Sequence, residues 1–172
     1  MASDCLIGID VGTSSLKLSI YDLGGKLLGS ASEGYPILHP QPSWAEHDPE
    51  AWLSALKNAL SPAMRKAHVT ERDPVGIGVD CFSSSLVPVD KHGNALRNAF
   101  TPLDVRSVAD VKEIEKEVGS KTIFDITGNR IATGTSSLPQ IMWIRKNARS
   151  VFDDTYKFVH ANSYLSFQLT GT

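Results

Sequence analysis

The sequence predicts an α/β fold in which a mixed sheet is flanked by helices. The first 34 residues contain three short segments of strand character: an apolar run at residues 6–9, an alternation of apolar and polar residues at 16–21, and a third segment at 26–34. An apolar stripe at helical spacing follows over residues 49–66, and the glycine-rich apolar run over residues 75–79 is predicted to be a buried strand. Strands that alternate with helices indicate a sheet whose faces are covered by those helices.

Length and composition fit one globular domain. The chain has 172 residues, of which 41% are hydrophobic and 21% charged, enough for a sizeable core. A net charge of -2 gives no electrostatic case for binding nucleic acid or an anionic membrane surface. No stretch has the apolar length of a membrane span, and the N-terminus lacks a signal peptide's basic and apolar parts. Cys5 and Cys81 lack metal-ligand spacing, which favours two core thiols in a reduced, cytoplasmic setting.

The first two predicted strands form a hairpin. Residues 6–9 are an apolar run, and residues 16–21 alternate between apolar and polar side chains. Asp10 ends the first strand, and we expect Gly12 to make the tight reversal at positive φ. Three hydroxyls follow the glycine in this turn, on Thr13, Ser14 and Ser15.

The hairpin turn has the chemistry of a phosphate site. Backbone N–H groups and hydroxyls in a turn suit phosphate oxygens, and Lys17 adds a point charge. The carboxylate of Asp10 could hold Mg²⁺ through water. An ordinary hairpin with a Ser/Thr turn explains the same residues equally well, so the hairpin alone does not decide between the two.

A third strand over residues 26–34 completes a meander. Three antiparallel strands followed by a helix and more strands are, by analogy, the order of a ribonuclease-H-like fold. The helix begins after a proline-rich loop, with Asp48 as N-cap and Pro49 at its first position, and extends to about residue 66. Pro62 should kink or end this helix. His47 has no partner at metal spacing, and we expect it at the surface.

The second candidate site follows the strand at residues 75–79. Asp80 and three serines, Ser83 to Ser85, come directly after it, and residues 86–90 are predicted to return as a strand before a turn at 91–94. Ligands of α/β proteins tend to bind at the carboxyl ends of strands. One carboxylate and three hydroxyls suit a polyol, although they also suit any turn.

The rest of the chain is predicted to be mainly helical, with one short strand before the last helix. We predict helices at residues 107–118 and 137–147, a short helix or turn at 122–127, a strand at 156–159 and a helix at 161–169. The helix at 137–147 should direct one face into the core, formed by Leu138, Ile141, Met142 and Ile144.

Several of these segments resemble known proteins. Residues 10–17 read Asp-x-Gly-Thr-Ser-Ser-x-Lys between two apolar strands, which resembles the phosphate-binding hairpin of the actin, Hsp70 and sugar-kinase superfamily. Residues 43–52 are similar to the Gly-Trp-x-Glu-x-Asp-Pro-x-x-Trp motif of the FGGY carbohydrate kinases, with serine in place of glycine. Residues 102–106 resemble that family's Trp-x-Asp-x-Arg, with proline in place of tryptophan. The resemblance covers about residues 6–171.

The resemblance implies roles for individual residues. Asp10 would be the catalytic carboxylate that holds Mg²⁺ near the phosphates of ATP. The phosphate-binding residues would be Gly12, Thr13, Ser14, Ser15 and Lys17. The residues that contact the sugar would be Ser83, Ser84, Asp104 and Thr135. Asp104 could equally form a local ion pair with Arg106, a pair that contributes little in an exposed setting.

The resemblance also implies a function. The parent protein would phosphorylate a sugar or polyol with ATP, and a ketopentose such as xylulose or ribulose is the first candidate. The sequence of residues 128–134 resembles a segment of xylulokinases, and the sequences of residues 78–80 and 88–94 resemble segments of ribulokinases. Glycerol is disfavoured, because glycerol kinases have Arg-Glu where this chain has Ser83 and Ser84. A kinase for gluconate or another polyol, and a non-catalytic sugar-binding or interaction module, are the alternatives.

We expect residues 1–172 to be a truncated N-terminal, sugar-binding domain of such a kinase, an incomplete lobe. The C-terminal nucleotide-binding lobe and the aspartate that acts as catalytic base would lie beyond residue 172. The isolated chain should therefore be inactive. Its partners would be a sugar and ATP, and the family's frequent assembly as a homodimer is expected here too.

Overall fold

The structure is a computed structural model that describes residues 4–171. The strands are β1 (Cys5–Val11), β2 (Ser15–Asp22), β3 (Leu27–Gly34), β4 (Glu46–His47), β5 (Pro74–Cys81), β6 (Val87–Val89), β7 (Ala99–Phe100) and β8 (Lys157–Val159). The helices are α1 (Pro49–Ala67), α2 (Val108–Val118), α3 (Ser120–Thr127), α4 (Ser137–Asn147), α5 (Arg149–Asp154) and α6 (Ala161–Thr170).

The chain divides into two compact units that alternate along the sequence. Of the described residues, unit 1 contains 4–36, 49–82 and 161–171, and unit 2 contains 37–48 and 83–160. Unit 1 therefore holds β1, β2, β3, α1, β5 and α6, and unit 2 holds the remaining elements.

Unit 1 is built on a four-stranded sheet with the order β3-β2-β1-β5. β1 is antiparallel to β2 and parallel to β5, and β2 is antiparallel to β3, so the predicted meander and mixed sheet are both present. Alternate residues point to opposite faces of a strand. One face carries the buried side chains of Ile7, Ile9, Leu16, Leu18 and Ile20.

Helix α1 packs closely against β2 and β3. Trp52, Leu56 and Ala59 are among its buried residues. The approach to β3 is tight at Gly29, where a Cβ atom would lie 2.6 Å from the carbonyl oxygen of Ala63. Pro62, which we expected to kink or end this helix, lies inside it, and the helix continues to Ala67.

The last helix, α6, completes the core of unit 1. Tyr164 and Leu165 are buried, and the Tyr164 ring makes an edge contact with Trp52 at a centroid distance of 6.3 Å. The Tyr164 hydroxyl donates a hydrogen bond of 3.0 Å to Oε1 of Glu50 on α1. These contacts join residues separated by more than 100 positions, because α6 follows the whole of unit 2 in the sequence.

Unit 2 contains two small antiparallel sheets, β4–β7 and β6–β8. Leu86, Phe100 and Ile144 form a buried hydrophobic cluster in it. Partly buried apolar residues surround them: Ile141, Trp143, Ala148, Val151, Phe152 and Phe158. The predicted return strand is present as β6, but it pairs with β8 and belongs to a different unit from β5.

Two predictions about burial were wrong. The strand β5 is not buried throughout, because Val75 is 58% exposed and Ile77 is 54% exposed. β5 is the last strand in the sheet order of the described residues, which explains the exposure. His47, expected at the surface, is 0% exposed in β4.

The core face of α4 also differs from the prediction. Ile144 is buried as expected, but Leu138 is 53% exposed and Gln140 is fully buried. Both cysteines are free thiols, Cys5 buried and Cys81 partly buried. Between residues 4 and 171, no helix combines the length and the apolar character that crossing a membrane requires.

Candidate functional site

The turn of the first hairpin is held by its own backbone. The Gly12 N–H donates a hydrogen bond of 3.0 Å to the carbonyl oxygen of Ser15. A Cβ atom on Gly12 would lie 2.9 Å from that oxygen, closer than real Cβ atoms approach. Gly12 is not among the residues with positive φ, so that prediction was wrong. The turn needs glycine because of this close approach rather than because of the backbone angle.

The face of the sheet opposite the core carries a polar groove of about 480 Å³. Asp10, Lys17 and Asp80 line it, together with Gly8, Ser19 and Tyr21. Asp10 pairs with Lys17 across the antiparallel strands and with Asp80 across the parallel strands. Neighbouring side chains in such pairs lie within reach of one another. The period of two therefore places both carboxylates and the ammonium group on one open face.

Tyr35, one residue after β3, contacts the hairpin turn. Its hydroxyl donates a hydrogen bond to the carbonyl oxygen of Gly12. Its N–H donates to the carbonyl oxygen of Ser14 at 3.2 Å. The residue is 8% exposed. Burial raises the pKa of the Tyr35 hydroxyl, and the nearby Asp10 carboxylate raises it further, so the hydroxyl stays protonated as a donor.

The serine loop of unit 2 does not present its hydroxyls uniformly. Ser83 is exposed, whereas Ser84 and Ser85 are buried. Ser84 has a φ of 60°, in the left-handed region that a side chain disfavours. Its hydroxyl donates a hydrogen bond of 3.3 Å to Oε1 of Gln140. Of the two serines predicted to contact the sugar, only Ser83 has an exposed side chain.

Gln140 on α4 is a polar residue that the sequence analysis did not identify. It is 0% exposed, and its Nε2 atom is buried without a hydrogen-bond partner in the part of the chain that the structure describes. Its position among the apolar residues of a helix is the sequence feature from which a buried polar side chain could have been predicted. Its spacing from Ile144 places both on the same face of the helix.

Asp104 is almost fully buried and saturated with hydrogen bonds. Its Oδ2 accepts from the Ala45 N–H at 2.8 Å, and its Oδ1 accepts from the Arg106 N–H at 3.1 Å. The Arg106 guanidinium forms an ion pair with the same carboxylate at 2.5 Å. The side chains of Asp104 and Arg106 are 1% and 2% exposed. These contacts favour the ion pair among the two roles that the sequence left open for Asp104.

Glu46 extends this ion pair into a buried network. Its Oε1 lies 2.6 Å from Nη2 of Arg97 and 2.7 Å from Nη2 of Arg106. The guanidinium of Arg106 lies 3.6 Å from the ring centroid of Trp44, a cation–π contact. Burial lowers the pKa of Arg97, and the Glu46 carboxylate opposes that shift. The network therefore ties β4 to the segment at residues 97–106.

Thr135, the last predicted sugar contact, has an exposed side chain. The residue before it, Gly134, has a φ of 72° and lies against Pro102. A Cβ atom at Gly134 would lie 2.0 Å from the Pro102 carbonyl oxygen, so only glycine fits there. Pro102 thus supports the segment that carries Thr135, within unit 2.

The groove in unit 1 suits a hydrated divalent cation bound together with phosphates. No group of three His, Cys, Asp or Glu side chains that could hold a metal occurs between residues 4 and 171. Mg²⁺ usually takes only one or two carboxylates and completes its shell with water and substrate phosphates. Asp10 and Asp80, paired on one open face, fit that pattern.

Residues 5–172 match the N-terminal domain of the FGGY family of carbohydrate kinases. The chain belongs to this family. The xylulose kinase of Staphylococcus xylosus is 32% identical over 166 residues, which cover 96% of this chain and 34% of that protein. The xylulose kinase of Bacillus subtilis (strain 168) is 30% identical over 96% of this chain and 33% of its own length. The chain thus spans about a third of the length of the curated relatives that it matches.

Solved structures of FGGY relatives share the fold. The xylulose kinase of Rhodospirillum rubrum has a TM-score of 0.89 at 28% identity, over 97% of this chain and 34% of that one. The gluconate kinase of Lactobacillus acidophilus has a TM-score of 0.88 at 25% identity, over 98% and 34%. The predicted α/β fold of the ribonuclease-H-like class is confirmed. Similarity of this kind does not assign roles to individual residues, so the FGGY site residues stay predictions.

Proposed function

We propose that the protein to which this chain belongs transfers the γ-phosphoryl group of ATP to a hydroxyl of a sugar or polyol. The observation that carries the proposal is the pairing of Asp10 with Lys17 on one open face of the sheet. The pair lies beside a hairpin turn in which position 12 has room only for glycine. Residues 1–172 would be its N-terminal domain, contributing the phosphate-binding hairpin and part of the sugar site. The nucleotide-binding lobe would lie outside these residues, since the relatives are about three times as long.

The hairpin residues would divide the work on the phosphates. Asp10 would hold Mg²⁺ through water, and Lys17 would face the phosphate oxygens as a point charge. The turn from Gly12 to Ser15 would donate backbone N–H groups and hydroxyls. Bound Mg²⁺ would neutralise charge on the phosphoryl group as it transfers, which matters because this reaction depends mainly on alignment and charge.

The sugar would contact residues of unit 2. Ser83 and Thr135 have exposed hydroxyls that can donate to and accept from a polyol. Ser84 is buried and its hydroxyl already donates to Gln140, so it would support the conformation of the serine loop that presents Ser83 to the sugar. Asp104 would act by holding its segment in place, because its carboxylate oxygens already accept five hydrogen bonds from Ala45 and Arg106.

A ketopentose is the first candidate substrate. Xylulose kinases at 32% and 30% identity support xylulose, with ribulose next because of the sequence at residues 78–80 and 88–94. The gluconate kinase with a TM-score of 0.88 supports gluconate as the alternative. A second alternative from another class is a non-catalytic module that binds sugar or a protein partner.

The test is ADP release by the full-length protein in Mg-ATP, over a panel of xylulose, ribulose, glycerol, erythritol and gluconate. Asp10→Asn should lower kcat at least 100-fold, because it removes a charged group that acts on the transferring phosphoryl. Asp153→Asn is the matched control, since Asp153 is an exposed carboxylate paired with Arg149. The 172-residue chain alone should show no steady release.

Two outcomes would contradict the proposal. Sugar binding without ADP release on any substrate would favour the non-catalytic module. Release that Asp10→Asn leaves unchanged would remove Asp10 from the catalytic role.

A further inference from the structure

Tyr35 holds the hairpin turn of unit 1 at two places. Its hydroxyl donates to the carbonyl oxygen of Gly12, and its N–H donates to the carbonyl oxygen of Ser14 at 3.2 Å. The ring is buried, with 8% of the residue exposed. A residue that follows β3 therefore fixes two carbonyl groups in the connection between β1 and β2.

The bond to Gly12 sets the direction of the next N–H group. No peptide bond among the described residues is cis, and a trans peptide places its C=O and N–H on opposite sides of one plane. Because the Gly12 carbonyl points toward the Tyr35 hydroxyl, the N–H of Thr13 points away from it. A backbone N–H fixed in advance is a donor that a phosphate oxygen can use without reorganising the turn.

We propose that Tyr35 is a positioning residue for phosphate binding, because its hydroxyl orients the Gly12–Thr13 peptide so that the Thr13 N–H faces the phosphate. The inference rests on the proposed function, which supplies the phosphate ligand. Tyr35 acts through Gly12 and does not itself touch the ligand.

The test compares two tyrosines of unit 1. Tyr35→Phe removes the hydroxyl and keeps the ring. Tyr164→Phe is the matched control, because Tyr164 is also buried and its hydroxyl also donates one hydrogen bond, to Glu50. Each variant loses the phenolic hydrogen bond described above, so we expect similar losses of stability and a difference only at the turn.

The first measurement needs no ligand. In the NMR spectrum of the 172-residue chain, Tyr35→Phe should shift the Gly12 carbonyl-carbon signal, and Tyr164→Phe should leave it in place. In the unmodified chain, the hydroxyl proton of Tyr35 should exchange slowly with water. An unchanged Gly12 signal or a rapidly exchanging hydroxyl would overturn the inference.

The second measurement uses magnesium tripolyphosphate as the probe, followed through the Thr13 amide signal. Tyr35→Phe should raise the Kd about five- to tenfold, because the turn loses the hydrogen bond that fixes the Gly12–Thr13 peptide, while Tyr164→Phe should not change it. Equal affinity of the unmodified chain and Tyr35→Phe would overturn the role of Tyr35 and leave the proposed function standing. No binding at the turn of the unmodified chain would overturn the phosphate site itself, and the inference with it.

Discussion

Whether a glycine of unit 1 can be replaced depends on the atoms that an added Cβ would contact. A Cβ atom at Gly12 would lie 2.9 Å from a backbone oxygen, whereas one at Gly78 would have no atom within 4 Å. Both residues lie at the polar groove or its turn, and neither has positive φ. Both therefore have room for a side chain as far as φ is concerned, and the steric contact at Gly12 is the feature that the comparison tests.

We predict that Gly12→Ala destabilises the chain by about 1–3 kcal/mol, because the hairpin turn must open to admit the methyl group. Gly78→Ala should be neutral or slightly stabilising, because alanine loses less backbone entropy in a strand. Urea unfolding followed by circular dichroism measures both free energies. Equal effects of the two substitutions would show that the close approach at Gly12 does not constrain the turn.

At the scale of elements, the buried network around Glu46 links β4 to residues 97–106, the segment that contains β7. Glu46 accepts from Arg97 and Arg106, and its side chain is 5% exposed. Breaking one member of a buried charge network leaves the opposite charges without compensation, which costs far more than an exposed pair contributes.

We predict that Glu46→Gln lowers the free energy of unfolding by about 3 kcal/mol or more. The control is Glu113→Gln, because Glu113 pairs with Lys146 at the surface and its loss should cost less than about 1 kcal/mol. Thermal and urea unfolding of the two variants provide the comparison. A loss at Glu46 no larger than that at Glu113 would mean that the network is dispensable for unit 2.

The elements themselves could be predicted from sequence because their signals are local. The apolar run of β1, the alternation in β2 and the amphipathic stripe of α1 indicated the type of each element and nearly its bounds. Burial could not be predicted in the same way, because it depends on distant partners. The composition of β5 is that of a buried strand, yet Ile77 is exposed since β5 ends the described sheet.

The candidate site divides along the same line. Asp10, Gly12 and Lys17 were found because their chemistry is contiguous in one hairpin. Tyr35 was missed because its contact with Gly12 is made by tertiary structure across 23 positions. Gln140 was missed for the same reason, because its hydrogen bond with Ser84 joins residues that are 56 positions apart.

At the scale of the molecule, unit 1 exposes apolar side chains on β5, the last strand of its sheet among the described residues. Val75 and Ile77 lie on β5, and an edge strand with exposed apolar side chains is a template for pairing with another chain. The homodimer expected from the resemblance stays a prediction, and this edge offers one contact for it.

We predict that the 172-residue chain self-associates with increasing concentration and that Ile77→Thr weakens this association. The control is Ile126→Thr, because Ile126 is 78% exposed on α3 but lies on no strand edge. Sedimentation velocity over a range of concentrations measures the effect. A concentration-independent monomer, or equal effects of the two variants, would exclude β5 as the contact.

The position of α6 in the sequence has a consequence for synthesis on the ribosome. Unit 1 needs Tyr164 and Leu165 in its core, yet all of residues 83–160 are translated between β5 and this helix. The part of the core that α6 covers therefore stays exposed while unit 2 emerges from the exit tunnel. At about 5–20 residues per second, that interval lasts several seconds, during which the exposed apolar surface makes the nascent chain prone to aggregation.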